Sequence, residues 1–259
     1  MKKLLVGVVA IQALPNSPNY CGSSQRILDT ALSDIEQYKT AGLPGIKLIN
    51  DYDIPYVKPP LDPEASELFL QIAKKARSNF SGTIGIEVLE GDNTTALKIA
   101  HDAKLNFVRA HAYVFACVGS SGLFEGCAGE LIRQRRQLGA EHIKIYADIK
   151  KKHCAHALTA DLSIVDEAIQ AQQSMADGLI ITGIRTSENA KPEEVNQVKK
   201  ASDIPIFVGS GLTTSNISDY FNTADGFIIG SHFREEGNFL NPLSPTRLST
   251  FMDKYHSIQ

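Results

Sequence analysis

From Pro205 the chain reads P-I-F-V-G-S-G-L-T-T-S-N-I, and from Ala224 it reads A-D-G-F-I-I-G-S to Ser231. Each segment holds a short apolar run closed by glycine and serine, the pattern of a buried parallel strand. The Gly209-Ser210-Gly211 step lets backbone amides approach a ligand with no Cβ in the way. Thr213, Thr214 and Ser215 can cap the helix-like sequence that follows, and a helix start favours an anion. Two glycine-ended strands late in a chain of 259 residues fit the phosphate site of a (β/α)8 barrel, which the loops after its last two strands build. That reading requires six more strands upstream.

Apolar runs at residues 4–11, 45–50, 83–89, 107–112, 142–149 and 178–183 supply them, and 204–208 and 226–229 complete the eight. Helical patterns separate the runs. Ser23 or Ser24 opens the first, which Gly42 and Pro44 stop; the next covers 62–78; Asp92 or Asn93 caps the third. A fourth runs over 125–138, a fifth starts at Asp161 or Ser163, and Pro192 and Pro245 stand in the first turns of later ones. Strict β-α alternation means a parallel sheet. Eight units in about 250 residues fit one closed barrel, so residues 1–259 are expected to form a single α/β domain, a (β/α)8 TIM barrel.

The composition, 43% hydrophobic, can fill a large core. A net charge of −3 argues against nucleic-acid binding, which calls for a basic face. Met1-Lys2-Lys3 before L-L-V-G-V-V-A-I imitates a secretory signal, but the run is short and lacks an A-x-A cleavage site, so it reads as the first strand. No run approaches the roughly 20 apolar residues of a membrane span. Cys21, Cys117, Cys127 and Cys154 form no C-x-x-C pair and read as reduced thiols of a cytoplasmic protein. Cys117 has no activating neighbour in the sequence and is expected to be inert.

Active sites of such barrels lie at the C-terminal ends of the strands. The residues there are Asn50 and Asp53, Glu87 and Glu90, Arg109 and His111, then Asp148, Lys150, Lys152 and His153. Thr182, Arg185, Ser210, Ser231 and His232 complete the set. The segment D-I-K-K-K-H is the densest. Asp148 and Lys150 are two apart and share a face of an extended chain, where a carboxylate beside an ammonium can position a proton transfer. His153 titrates near neutrality. Asp148, Lys150, His153 and Arg109 are therefore the expected catalytic residues, with Lys151 facing solvent. The bland alternative for Arg109 is a buried ion pair with Glu87 or Asp148. Asn50, Asp53, Glu87 and Thr182 are candidate substrate contacts, although Asn50 and Asp53 could instead form an Asx turn ahead of Pro55. His156 and Asp161 are expected to shape a loop and cap a helix. Gly209, Ser210, Gly211, Gly230 and Ser231 are the expected phosphate cradle. No metal site is assigned, although Asp53, Glu87, Asp148 and His153 could converge on a divalent ion.

The segments A-L-P-N-S-P, D-I-P-Y, A-D-I-K-K-K-H-C-A-H-A-L-T-A-D, A-D-G-L-I-I-T-G, V-G-S-G-L-T and I-G-S-H-F-R run through nearly the whole chain. Through them the sequence resembles the BtpA/SgcQ family, barrels similar to the ribulose-phosphate-binding superfamily. The resemblance implies a photosystem I assembly or stability role for some members and enzyme-like or sugar-metabolism roles for others, with no settled reaction. The chain departs from the family pattern at Ala10, where His is common, at Ile49-Asn50 in place of Glu-Asn, at Tyr52 in place of His, and at His111 in place of Glu.

The expectation is a cytoplasmic barrel enzyme, a lyase, hydrolase or isomerase acting on a phosphorylated sugar or nucleoside-like small molecule. No cofactor is expected, and a divalent metal and a homo-oligomer are left open. The competing readings are a non-catalytic photosystem-assembly or protein-stability factor and a metal-dependent hydrolase.

Overall fold

Eight of the apolar runs pair as parallel strands around a ring. A computed structural model describes residues 3–259; Met1 and Lys2 of the signal-like start lie outside the described residues. The barrel strands are β1 (Leu4–Ala10), β2 (Gly45–Ile49), β3 (Thr83–Glu87), β4 (Phe107–Ala110), β7 (Lys144–Ile149), β8 (Gly178–Ile181), β9 (Ile206–Gly209) and β10 (Gly226–Ile229). They close in the order β1-β10-β9-β8-β7-β4-β3-β2, with β1 bonded to both β2 and β10. The remaining strands, β5 (Cys117–Gly119) and β6 (Gly122–Phe124), form an antiparallel hairpin in the loop after β4.

Outside the ring lie α1 (Ser24–Thr40), α2 (Pro63–Asn79), α3 (Asn93–Asp102), α4 (Ala128–Gln137), α5 (Ile164–Gln173), α6 (Pro192–Ala201), α7 (Ile217–Tyr220) and α8 (Pro245–Ser257). Their starts follow local chemistry. The Ser23 hydroxyl accepts from the Arg26 amide, Asp62 accepts from Glu64 and Ala65, and Asp92 accepts from Thr95. Ser163 and Asp166 form a reciprocal capping box, so Ser163 caps α5. A cap of this kind contributes about 1 kcal/mol.

Inside the ring, alternate residues of each strand point to the axis. The lower level holds Phe107, Tyr146 and Phe207, whose ring centroids are 5.0 and 4.5 Å apart along the row. Val6, Ile180 and Ile228 pack with them. Neighbouring strands carry glycine to make room. A Cβ on Gly85 would lie 2.1 Å from the Phe107 ring, and one on Gly226 would lie 2.5 Å from Phe207. The aromatic level fills the barrel, and the cavity above it opens at the carboxyl ends of the strands.

One step further up, the same alternation carries Lys47 on β2, Glu87 on β3, Arg109 on β4 and Asp148 on β7 to the axis. The register sets this level: Lys47 pairs with Gly85, Ile49 with Glu87, Arg109 with Tyr146 and Asp148 with Ile180. The inward positions of β1, β8, β9 and β10 at that height are small or apolar. The interior is thus charged on one half and smooth on the other.

Candidate functional site

A cavity of about 480 Å³ stands above the aromatic plug, within the range of small-molecule sites. Its floor is an ion-pair network. Lys47 Nζ contacts Glu87 Oε2. Arg109 Nη2 donates to Asp148 Oδ2 at 2.5 Å, and its Nη1 lies 3.5 Å from Glu87 Oε2. His111 Nε2 lies 2.7 Å from Glu87 Oε1 and 3.7 Å from Asp148 Oδ2, but neither ring nitrogen is aligned for a hydrogen bond. Asp148 Oδ1 is also buried without a donor. Polar atoms left unmatched in this way are costly unless something else meets them.

Burial raises the carboxyl of Asp148, but the charge and hydrogen bond of the Arg109 guanidinium outweigh it and hold the group below its ordinary value. Burial drives His111 well below the usual imidazole range, with Lys151 adding to the effect, so it is neutral at pH 7. Burial first and Arg109 second depress Lys152, to about 8. On the rim, Glu90 accepts from Ser120 Oγ at 2.8 Å and from Lys151 Nζ at 3.1 Å. These partners overcome its burial and keep it ionised to low pH.

The opposite wall comes from the glycine-serine loops. Ser210, Gly211, Gly230 and Ser231 line the cavity. Ser210 (φ 69°) and Gly211 (φ 63°) are both left-handed, a conformation that glycine enters at little cost and other residues seldom adopt. Gly209 lies beneath, packed near Thr182 and Ile180. The loop after β8 crosses over this wall, where Ser187 Oγ meets Ser231 Oγ at 2.9 Å.

Of the residues expected from the sequence, Glu87, Arg109, Asp148 and His153 also line the cavity. Lys150 does not. The strand ends at Ile149, and Lys150 turns left-handed at φ 45°, which breaks the alternation that would have put it beside Asp148. Its Nζ donates to the Thr159 carbonyl at 3.2 Å, behind the barrel mouth. Lys151 is not solvent-facing; it is buried against Glu90. Lys152 carries the segment's amine into the cavity instead. Asn50 and Asp53 are struts. Asn50 Nδ2 donates to Asp53 Oδ2 at 2.9 Å, Asn50 Oδ1 accepts from Leu89 N at 2.7 Å, and Asp53 Oδ1 accepts from Leu14 N at 2.6 Å. They tie the loops after β1, β2 and β3 together. Thr182 is buried and donates to the Gly183 carbonyl. Its neighbour Arg185 is largely exposed. Glu87 and Asp148 face Lys47 and Arg109 rather than an open ligand position, Asp53 is turned away, and the described residues hold no group of three metal-ligating side chains. Cys117 is buried, and a hydrogen bond to Cys154 together with burial pushes its thiol up.

Lys47 is the floor residue that sequence reasoning missed. A lysine centred in the buried run G-I-K-L-I at the inward parity was the available signal.

A closed eight-stranded parallel barrel with a cavity at its carboxyl mouth defines a TIM-barrel protein. The chain belongs to the BtpA family, whose model matches residues 1–257. An uncharacterised mitochondrial protein of Caenorhabditis elegans is 36% identical over 263 residues, covering 100% of this chain and 95% of that one. The photosystem I biogenesis protein BtpA of Synechocystis is 30% identical and covers 96% of this chain and 86% of its own. The solved thiamine phosphate pyrophosphorylase of Pyrococcus furiosus superposes with a TM-score of 0.62 at 12% identity, over 99% of this chain and 96% of that one. That likeness is one of fold. No helix among the described residues is long and apolar enough to cross a membrane.

Proposed function

We propose that this protein is an enzyme that takes a phosphorylated sugar or nucleoside-like small molecule into the barrel mouth. Ser210, Gly211, Gly230 and Ser231 hold the phosphate, and the polar half, with Arg109, Asp148, Lys152 and His153, acts on the remainder. The observation that carries the reading is the division of one cavity into a glycine-serine wall with left-handed amides and a facing layer of buried charge. Four free cysteines suit a reducing compartment such as the cytoplasm.

The test is calorimetry with inorganic phosphate and ribose 5-phosphate on wild type and on Gly230→Asp. Gly230 is the suitable position because a Cβ there would meet only Val8, at 3.6 Å. Gly211→Asp is unsuitable, because its φ is positive and a Cβ would come 2.2 Å from the Asn189 amide. A carboxylate at position 230 is expected to weaken phosphate by about tenfold or more, equal to ~1.4 kcal/mol. Equal binding by both proteins, or none by wild type, refutes the reading.

One observation favours a second reading, an assembly factor. Exposed apolar side chains gather on the mouth loops: Ile54, Val57, Val118, Leu123, Ile184 and Leu240. On that reading Gly230→Asp leaves the cellular role intact, whereas polar substitutions at Val118 and Leu123 abolish it.

A further inference from the structure

Among the described residues, five lysine and arginine side chains line the cavity, and four of them hold a carboxylate. Lys47 has Glu87, Arg109 has Asp148, Lys151 has Glu90 at 3.1 Å, and Arg234 has Asp34 at 3.0 Å. Among the described residues Lys152 has no carboxylate within 4.0 Å. Its Nζ makes one long hydrogen bond, to Thr186 Oγ1 at 3.4 Å. The next residue, Ser187, touches Ser231 of the glycine-serine wall. The unpaired amine and the glycine-serine wall thus meet adjacent residues of one loop, Thr186 and Ser187.

We propose that Lys152 is a nucleophile that forms an imine with a carbonyl carbon of the phosphorylated ligand, so that the substrate class is aldose or ketose phosphates in their open-chain form. The inference rests on the phosphate reading above. The environment suits it. Burial first, then Arg109 and Lys151, favour the neutral amine against the opposing pull of Asp51 and Asp148, and with an apparent value of about 8 roughly 10% is neutral at pH 7, against roughly 0.03% for an ordinary lysine. The ammonium first gives a proton to solvent. The Nζ lone pair then forms the C–N bond while the carbonyl π pair moves to oxygen, which takes up a proton. Loss of that hydroxyl as water, with a second proton from nitrogen, leaves the protonated imine. The balance is ammonium plus carbonyl giving iminium plus water, with no oxidant or reductant. His153 Nε2 shares Thr186 Oγ1 with Lys152, at 2.9 Å, and is placed to carry the protons. A lysine serving only as a counter-charge for phosphate is the rival, and it forms no covalent bond.

The experiment incubates the full chain with dihydroxyacetone phosphate and cyanoborohydride and maps the adduct, the probe mass less one oxygen, by peptide mass spectrometry. Phosphate binding is measured by calorimetry on the same preparation. The expected result is an adduct on Lys152 that inorganic phosphate suppresses, with a rate that rises with pH and levels near 8. It is lost in Lys152→Arg, which keeps the cation. Phosphate binding with adducts scattered over surface lysines overturns the imine and leaves the phosphate reading standing. An adduct on Lys152 that phosphate does not suppress upholds the amine and overturns the phosphate reading. Absence of both adduct and binding overturns both.

Discussion

Glu167→Gln should make the protein more stable above neutral pH and leave it nearly unchanged at pH 5. Glu167 stands on α5 behind the floor of the site and is 6% exposed. Its carboxyl accepts the Lys150 amide at 3.2 Å, and the Lys150 ammonium is 4.0 Å away. That ammonium is bonded to the Thr159 carbonyl and reaches water, so its attraction is screened. Burial wins, and the carboxyl is pushed up from 4.5 to about 7. At ~1.36 kcal/mol per pH unit this displacement is worth about 3 kcal/mol. The folded state binds the proton more tightly than the unfolded chain does. The contribution is therefore complete below pH 4.5 and is lost as pH rises through 7. Glutamine keeps an acceptor for the Lys150 amide and has no charge to bury. Urea unfolding of both proteins at pH 5, 6.5 and 8 should show the variant gaining about 2–3 kcal/mol on wild type across that range. A difference between the two proteins that does not change with pH would refute the assignment of the raised carboxyl to Glu167.

Two further outcomes follow from the interior. Asp148→Asn removes the carboxylate that Arg109 needs in a buried site and should cost about 3 kcal/mol or more in urea unfolding; a loss below about 0.5 kcal/mol would show that Glu87 alone satisfies Arg109. Gly85→Ala puts a methyl group into the Phe107 ring and should cost about 3 kcal/mol, lowering the melting temperature by several degrees; an unchanged melting curve would mean that the aromatic plug relaxes freely.

The fold was legible because each barrel strand is an apolar run bounded by turn residues, and caps such as Asp62 and Ser163 mark the helices between them. The hairpin Cys117–Phe124 was not, since strands of three residues are too short to show a period, although G-S-S-G marked its turn. The helix between the two glycine-serine loops shrinks to four residues, Ile217–Tyr220, because the Asn216 side chain closes the preceding turn on Thr213 N and Gly211 O. In the site, Glu87, Arg109 and Asp148 were visible as charges within buried strands, where parity decides direction. Lys150 was misread because parity ends with the strand: three lysines in a row give no sign of which one follows the left-handed turn. Asn50 and Asp53 looked like ligand contacts because sequence shows polarity at a strand end but not the backbone amides of Leu14 and Leu89 that use it.

The charge arrangement bears on how a ligand would be held. Lys47 and Arg109 are balanced by Glu87 and Asp148, and His111 is neutral, so the floor offers an entering phosphate no net attraction. Any anion in the cavity then depends on the backbone amides of the loops after β9 and β10 and on Lys152, the one cavity lysine or arginine among the described residues without a carboxylate. If Lys152 is neutral in part at pH 7, phosphate binding is mainly an interaction with fixed dipoles, which salt screens less than it screens a surface ion pair. Raising ionic strength should therefore weaken ribose 5-phosphate only slightly, whereas a site relying on exposed lysines would lose it steeply. A steep loss with salt would place the anion on the rim instead of in the cradle.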